Sequence, residues 1–423
     1  MNGYGLSRER FALLFSVMLV AAAGNTAMQS LLPAIGRELG VADLWVALAF
    51  SLSAVLWVVM APVWAHRADR RGRRALMRLG LIGFIASNLI CGGALAFGLA
   101  GLAAPTLVFA VFMAGRGLYG AFGSASPPAV QAYVAARTEG VARTSALASL
   151  ASSFGLGTII GPAIAPLFVF APAGLSGPLF VFAGIAALVL LMLALRLPDD
   201  TPRSAARGPI VGYPSIGGGG DGAQSEDAER APLRWRDPRV MRWHIVGIVG
   251  GHGQAALLGV IGFLVIDRLD VPLAHAQESI AVVLMSGAVA SLLAQWGLIP
   301  RLRLEPGQLV LWGSALAALG AAVTGLAGSV YGITIGFALA SLGFGLFRPG
   351  FTSGASLAVE RHEQNAVAGM VTSVNGLAYI AGAPLAVALY QGAAVAPFAA
   401  VAALMLGLAA WSAAKLRTSN PAA

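Results

Sequence analysis

The sequence predicts an all-α integral membrane protein of twelve transmembrane helices in two pseudo-symmetric six-helix halves. Three observations predict it. The 423 residues are 58% apolar and only 11% charged, with a mean hydropathy of +0.79, whereas a soluble chain carries about a quarter of its residues as Asp, Glu, Lys or Arg. The apolar residues run in long uncharged stretches. Short segments of the first half recur, in the same order, in the second.

Inside a bilayer every backbone polar group must be satisfied within the chain, so a span is a helix of roughly 20 apolar residues or a barrel strand of about 10. The runs here are of helical length. Spans are expected at 11–35, 44–65, 75–98, 105–130, 143–169, 178–196, 242–266, 278–299, 308–327, 330–356, 366–391 and 394–414. The first follows Ser7-Arg8-Glu9-Arg10 and ends near Ile35. It is too long for a signal-peptide core and reads as a retained first helix. Residues 1–196 form the first half and 240–423 the second. Between them, 197–239 carries Pro198, Pro202, Pro209 and Pro214, the run Gly217 to Gly220, and Glu226, Asp227 and Glu229. This composition predicts a flexible cytoplasmic linker. No Lys-Ser/Thr follows the glycines and no strand precedes them, so they do not read as a phosphate cradle.

The net charge is +9, and all but Lys415 of the 27 basic residues are arginine. With the N-terminus inside, the inner loops hold Arg8, Arg10, the cluster from Arg67 to Arg78, Arg137, Arg143, the central interval, Arg301, Arg303, Arg361 and the tail. The outer loops hold Arg37 and Arg268. This asymmetry predicts a multi-pass protein of the inner (plasma) membrane with both termini cytoplasmic. Basic charge spread over one membrane face without interleaved aromatics argues against nucleic acid as a partner. The single cysteine, Cys91, closes no disulfide within the chain and builds no Cys-based zinc site. No cofactor or metal is expected.

The repeat pairs Phe122-Gly123-x-x-x-Pro127 with Phe344-Gly345-x-x-x-Pro349. It also pairs Gly155-Leu156 and Gly161-Pro162 with Gly376-Leu377 and Gly382-Ala383-Pro384, which marks a duplicated architecture. After the second span comes Ala65-His66-Arg67-Ala68-Asp69-Arg70-Arg71-Gly72-Arg73-Arg74. This resembles the signature loop of the major facilitator superfamily, Gly-x-x-x-Asp-Arg-x-Gly-Arg-Arg, with Ala65 in place of the first glycine. The resemblance implies the major facilitator fold and a cytoplasmic gate loop formed by Asp69, Arg70, Gly72, Arg73 and Arg74. Asp69 would act near the start of the eleventh span, where a helix N-terminus favours an acid by roughly 0.3–1 kcal/mol. The second copy, Gly297 to Arg303, has Arg301 at the position of Asp69.

Arg116 falls near the middle of the fourth span, where a buried charge is costly and marks a site. Its segment, Arg116-Gly117-Leu118-Tyr119-Gly120, is similar to the Arg-x-x-Gln-Gly pattern of drug and proton antiporters, with Tyr119 in place of Gln. The resemblance implies a part in proton movement; a structural pair with a neighbouring helix is the other reading. Arg348, closer to the inner end of the tenth span, reads as a snorkelling side chain. Gly157-Thr158-Ile159-Ile160-Gly161-Pro162 resembles the antiporter Gly-x-x-x-Gly-Pro motif. Gly157 and Gly161 permit close helix approach and Pro162 bends the helix, predicting a packed, bent gate between the halves.

One departure stands out. Every Asp and Glu lies in a loop or at a helix end, and Asn25 stands in the first span where some relatives have an acid. His252, flanked by Gly250, Gly251 and Gly253, is the histidine nearest mid-membrane, and imidazole ordinarily titrates at about 6.5. His252 or Asp69 is therefore expected to replace the missing carboxylate, with a neutral His252 bonded to a carbonyl as the alternative. Asn25 and Gln29, and Asn375 and Tyr379, are four apart and share helix faces. With Arg116 and Tyr119 they are expected to line an otherwise apolar chamber.

The reading is a proton-coupled exporter of drug-like or amphipathic small molecules, working as a monomer by rocker-switch alternating access. An exporter of an endogenous metabolite such as a metallophore, or a passive facilitator or importer, is the alternative. A membrane-embedded enzyme or sensor needs clustered His or acidic residues or an output domain, which the sequence lacks.

Overall fold

A computed structural model describes residues 7–135, 137–138, 140–170, 173–198, 235–269, 273–360 and 363–416. They are helical apart from turns and one isolated bridge, Phe170 to Gly174. The helices are α1 (Arg8–Glu38), α2 (Asp43–Arg71), α3 (Arg73–Leu99), α4 (Pro105–Leu118), α5 (Ser126–Ala135), α6 (Gly140–Ile164) and α7 (Gly177–Arg196). They continue with α8 (Pro238–Leu269), α9 (Leu273–Leu292), α10 (Ile299–Leu302), α11 (Pro306–Leu326), α12 (Val330–Leu357), α13 (Gln364–Gly392) and α14 (Ala396–Lys415). Two compact units divide them, α1 to α7 in one and α8 to α14 in the other.

Among the described residues eleven helices are long and apolar enough to cross a membrane, each at an expected span. At the remaining fifth span the apolar stretch, Gly155–Phe168, is shorter. Exposed aromatics cluster at helix ends, such as Trp45 and Tyr331 at helix starts and Trp296 near the end of the eighth span, the placement that a membrane–water boundary favours. Most of the expected linker, 199–234, lies outside the described residues, and α8 already begins at Pro238.

Polar residues set the helix starts. Ser7 accepts from the Arg10 N–H at the head of α1, and Ser329 from the Gly332 N–H at the head of α12, each satisfying an orphaned donor. The gate motif is not a loop. From Ala65 onward the chain is rich in Ala and Arg, both strong helix formers, and α2 continues to Arg71. Gly72 reverses the chain at φ 83° and ψ 142°, outside the left-handed α region and in one that costs residues with a Cβ about 1–3 kcal/mol. Asp69 and Arg70 thus sit in the last turn of α2, and their side chains lie outside the described residues. Arg303 takes the corresponding turn of the second half, at φ 48° without being glycine.

The fourth span, Pro105–Val134, is present but irregular within. After Leu118 the chain widens into a π-helical turn, Tyr119–Gly123, and breaks before α5. The consecutive Pro127 and Pro128 explain it. Each lacks an N–H and crowds the carbonyl four residues back, here those of Gly123 and Ser124. The repeat copy has the single Pro349, and α12 runs through it unbroken.

The Gly-x-x-x-Gly-Pro face packs α6 onto α1 of its own half. A Cβ at Gly157 would lie 2.6 Å from Ala22 Cβ and 2.8 Å from the Leu19 carbonyl; one at Gly161 would overlap the Ala23 carbonyl. After Pro162 the helix tightens into a 3₁₀ turn, Ala165–Phe168, which contains Pro166. In the second half, Gly382 of α13 packs in the same way on the backbone of His252, and Gly251 of α8 on Ala378. Gly161→Leu is therefore expected to destabilise the first half by about 1–3 kcal/mol through overpacking, read as a lower unfolding midpoint in detergent. Gly72→Ala should cost about 1–3 kcal/mol, because an alanine would have to hold that nearly glycine-only backbone conformation.

Candidate functional site

Arg116 is 3% exposed, in the last turn of α4 and just before the π turn. Its Nη2 donates to Asn25 Oδ1 at 3.2 Å, and its Nη1 reaches Met28 Sδ at 3.5 Å, both on α1. Its guanidinium carbon lies 4.8 Å from the Phe50 ring centre and 5.1 Å from that of Tyr119, close enough for cation–π attraction. Nε is buried without a hydrogen-bond partner. Among the described residues no carboxylate touches this guanidinium.

The helices around it are shaped to bring these groups together. Asn25 and Met28, three apart, share one face of α1. Gly120 lies against Ser53 and Leu56 of α2, where a Cβ would clash, so α2 comes close enough for Phe50 to cover the guanidinium. Ser53 Oγ donates to the Arg116 carbonyl at 2.9 Å, and Trp64 Nε1 to the Ala121 carbonyl at 2.6 Å. Within the irregular turn the Arg116 carbonyl also accepts from the Tyr119 N–H and the Ala121 carbonyl from the Ser124 hydroxyl, so α2 adds a second donor to each. Tyr119 packs against Trp57, with ring centres 5.5 Å apart, and edge-on against Phe84 at 5.7 Å.

Of the residues expected from sequence, Asn25, Arg116 and Tyr119 meet here. Gln29 lies one turn along α1, half-buried. Asn375 and Tyr379 are half-buried on α13, in the other half. Arg74 donates to the Ala194 carbonyl at the end of α7, which helps hold the α2–α3 turn on its own half, and Arg73 opens α3. His252 Nδ1 lies 2.8 Å from the Ile248 carbonyl. A carbonyl only accepts, so Nδ1 is the donor in this contact, to a carbonyl of its own helix.

Sequence reasoning missed Met28, Phe50, Ser53, Trp57 and Trp64. Met28 alone carried a signal, its three-residue spacing from Asn25; the α2 residues look like any apolar span. A second polar cluster was also missed, at the head of α8. Arg239 pairs with Asp237 and with Glu363, which precedes α13, each at 2.8 Å. The Arg239 guanidinium, helped by its backbone N–H, holds the exposed Asp237 carboxyl below the usual carboxylate range.

The sequence matches the family model of the Major Facilitator Superfamily over residues 14–383. Similar curated proteins include the Staphyloferrin B transporter of Staphylococcus aureus (strain NCTC 8325 / PS 47), 27% identical over 209 residues, 48% of this chain and 47% of that one. Another is the uncharacterized MFS-type transporter YceJ of Bacillus subtilis (strain 168), 29% identical over 215 residues, 49% of each chain. The matched region thus spans about half the length of each of these relatives. Among solved structures, the human organic anion transporter MFSD10 (TETRAN) superposes with a TM-score of 0.65 at 19% identity, covering 96% of this chain and all of that one. A bacterial homologue of the human lysosomal transporter Spinster gives 0.69 at 15%, covering 98% of this chain and all of that one. At these identities the two structures show the fold alone.

Two outcomes follow from the geometry. Trp64→Phe keeps an aromatic side chain but removes one of two donors to the Ala121 carbonyl, the Ser124 hydroxyl remaining, at a cost of about 0.5–1.5 kcal/mol; amide exchange should quicken across residues 119–125 and change little in the first turns of α4. For Asp237, a folded-state pKa below the unfolded one means its contribution is present above the ordinary carboxylate range and lost as pH falls through the lowered value. The Asp237–Arg239 pair at the head of α8 should therefore survive mild acidification, and exchange at Val240 and Met241, whose N–H groups bond the Asp237 carbonyl, should stay flat between neutral and weakly acidic pH.

Proposed function

The chain belongs to the Major Facilitator Superfamily, and we propose that this multi-pass membrane transporter exports amphipathic small molecules or an endogenous metabolite in exchange for protons. Arg116 carries the reading: a permanent charge held inside a span, beside polar and aromatic groups, belongs to a translocation pathway far more readily than to a packing role. The resemblance of its segment to antiporter patterns points the same way, as do the inward-facing basic loops, which favour an inner-membrane protein with both termini in the cytoplasm and working as a monomer.

In this mechanism the two halves rock about a central substrate site. Arg116, with Asn25 and Tyr119, contacts substrate from the first half, and Gln29, Asn375 and Tyr379 extend the lining. His252 takes up the coupled proton at Nε2. Protonation adds a charge to a neutral ring inside the span, and that change supplies the differential free energy any coupling needs between the two access states. Asp69 biases the same equilibrium at the cytoplasmic end, and Gly157, Gly161 and Pro162 fix the bend of α6 on α1. The name of the staphylococcal relative supports a metallophore or similar metabolite as the endogenous cargo.

Reconstituted in liposomes with an imposed pH gradient, the wild-type chain should move substrate against its gradient, and an uncoupler should abolish accumulation. Indifference to the uncoupler would establish a facilitator instead. His252→Ala should lose gradient-driven accumulation while still exchanging substrate for substrate; full pH-driven transport by that variant would remove His252 from the mechanism. Expressed in a host lacking its own efflux pumps, the wild type should protect against at least one compound of a panel or change growth under metal limitation. Asp69→Ala and Arg116→Ala should each weaken that effect.

A further inference from the structure

We infer that the pocket around Arg116 is a carboxylate subsite whose charge is set by Asn25, so that the cargo of the transport reading, on which this rests, is an organic anion with an apolar body. The inference starts from acceptors. A guanidinium carries five N–H donors and stays protonated in proteins. Arg116 meets one oxygen, the neutral amide of Asn25, and one thioether, a weak acceptor, while its buried Nε meets none.

The other well-placed arginines are served differently. Arg37 makes two hydrogen bonds to the Asp43 carboxylate, at 3.2 and 2.8 Å. Arg239 bridges two carboxylates. Arg268 donates to the carbonyls of Gly325 and Ala327 at the end of α11, both at 3.1 Å. The most deeply buried of these four arginines is thus the one without an anionic or multiple-oxygen partner. An oxyanion is the complement such a group lacks, because the planar fork pairs with a carboxylate through two parallel, charge-assisted bonds.

Asn25 decides whether that complement is internal or brought by a ligand. Its amide oxygen holds Nη2 without cancelling the charge, so the site keeps a net positive charge. An aspartate of the same shape would neutralise it and repel an incoming carboxylate. Specificity of this kind is a difference between two affinities, set as much by repulsion as by attraction. The walls suit an apolar body. Phe50 and Tyr119 present aromatic faces to the guanidinium, Trp57 packs on Tyr119, and Asn25, Phe50 and Trp57 are only half-buried.

The test is calorimetric binding to the full-length chain in lipid nanodiscs, with benzoate, 1-naphthoate and succinate each compared with its neutral amide. The wild type should bind at least one carboxylate about tenfold or more tighter than its amide. Asn25→Asp and Arg116→Gln should each abolish that preference, while Asn25→Ala, which leaves the charge in place, should keep it. Equal binding of acid and amide, no binding of any of the three carboxylates, or a preference that survives Asn25→Asp would each overturn the subsite. Asn25→Asp adds a partner to a buried cation without changing shape, so it decides the matter even if Arg116→Gln fails to fold. Binding needs no gradient, so the two readings fail separately: carboxylate preference without pH-driven transport overturns the coupling alone, and transport of neutral compounds without carboxylate preference overturns the subsite alone.

Discussion

A charge that cannot be discharged, held where water is scarce, is the constraint around which the first half is organised. Arg116 is 3% exposed inside a helix that crosses the membrane. Taking such a group out of water costs several kcal/mol unless its surroundings answer it. The surroundings answer only in part, with an amide, a thioether and two aromatic faces. Placing these groups at once requires α1, α2 and α4 to approach closely. The approach is made possible by Gly120 against α2 and by Gly157 and Gly161 of α6 against the other side of α1.

The π turn belongs to the same constraint. Around Tyr119–Gly123 the Arg116 carbonyl accepts from the Tyr119 N–H and the Ala121 carbonyl from the Ser124 hydroxyl, and Ser53 and Trp64 of α2 add a second donor to each. Backbone irregularity at membrane depth is tolerated only where protein groups or water satisfy it. The second half keeps the Phe-Gly-x-x-x-Pro motif but has one proline, no corresponding arginine and an unbroken α12. The two halves thus share a packing scheme, α6 on α1 and α13 on α8, while their polar chemistry has diverged.

The fold was legible because membrane spans leave the plainest pattern a sequence can carry: uncharged length, basic inner loops and repeated glycine motifs. The site was legible only where a residue is expensive in lipid. Arg116 announces itself by charge, and Asn25 by its polarity on a helical face. Phe50, Trp57 and Trp64 do not, because aromatic residues are ordinary in any span and only the tertiary approach of α2 gives them a role. The gate motif was recognised but misplaced, since Ala and Arg continue α2 as far as Gly72. The irregularity of the fourth span was written in Pro127-Pro128, yet a proline near a span end reads equally well as a helix boundary, and the single proline of the repeat copy gave no warning.

Placement separates the arginines at helix ends from Arg116. Arg37, Arg74, Arg239 and Arg268 all lie at helix ends, and each meets a carboxylate or a helix-terminal carbonyl. Such pairs fasten neighbouring helices near water, where desolvation is mild and each bond contributes modestly. Arg116 has neither the position nor the partners of that group. Among the described residues the arginine deepest in a span has no carboxylate at its side, and on the proposed reading the complementary anion comes with the cargo, whose charge is then the variable on which the site turns.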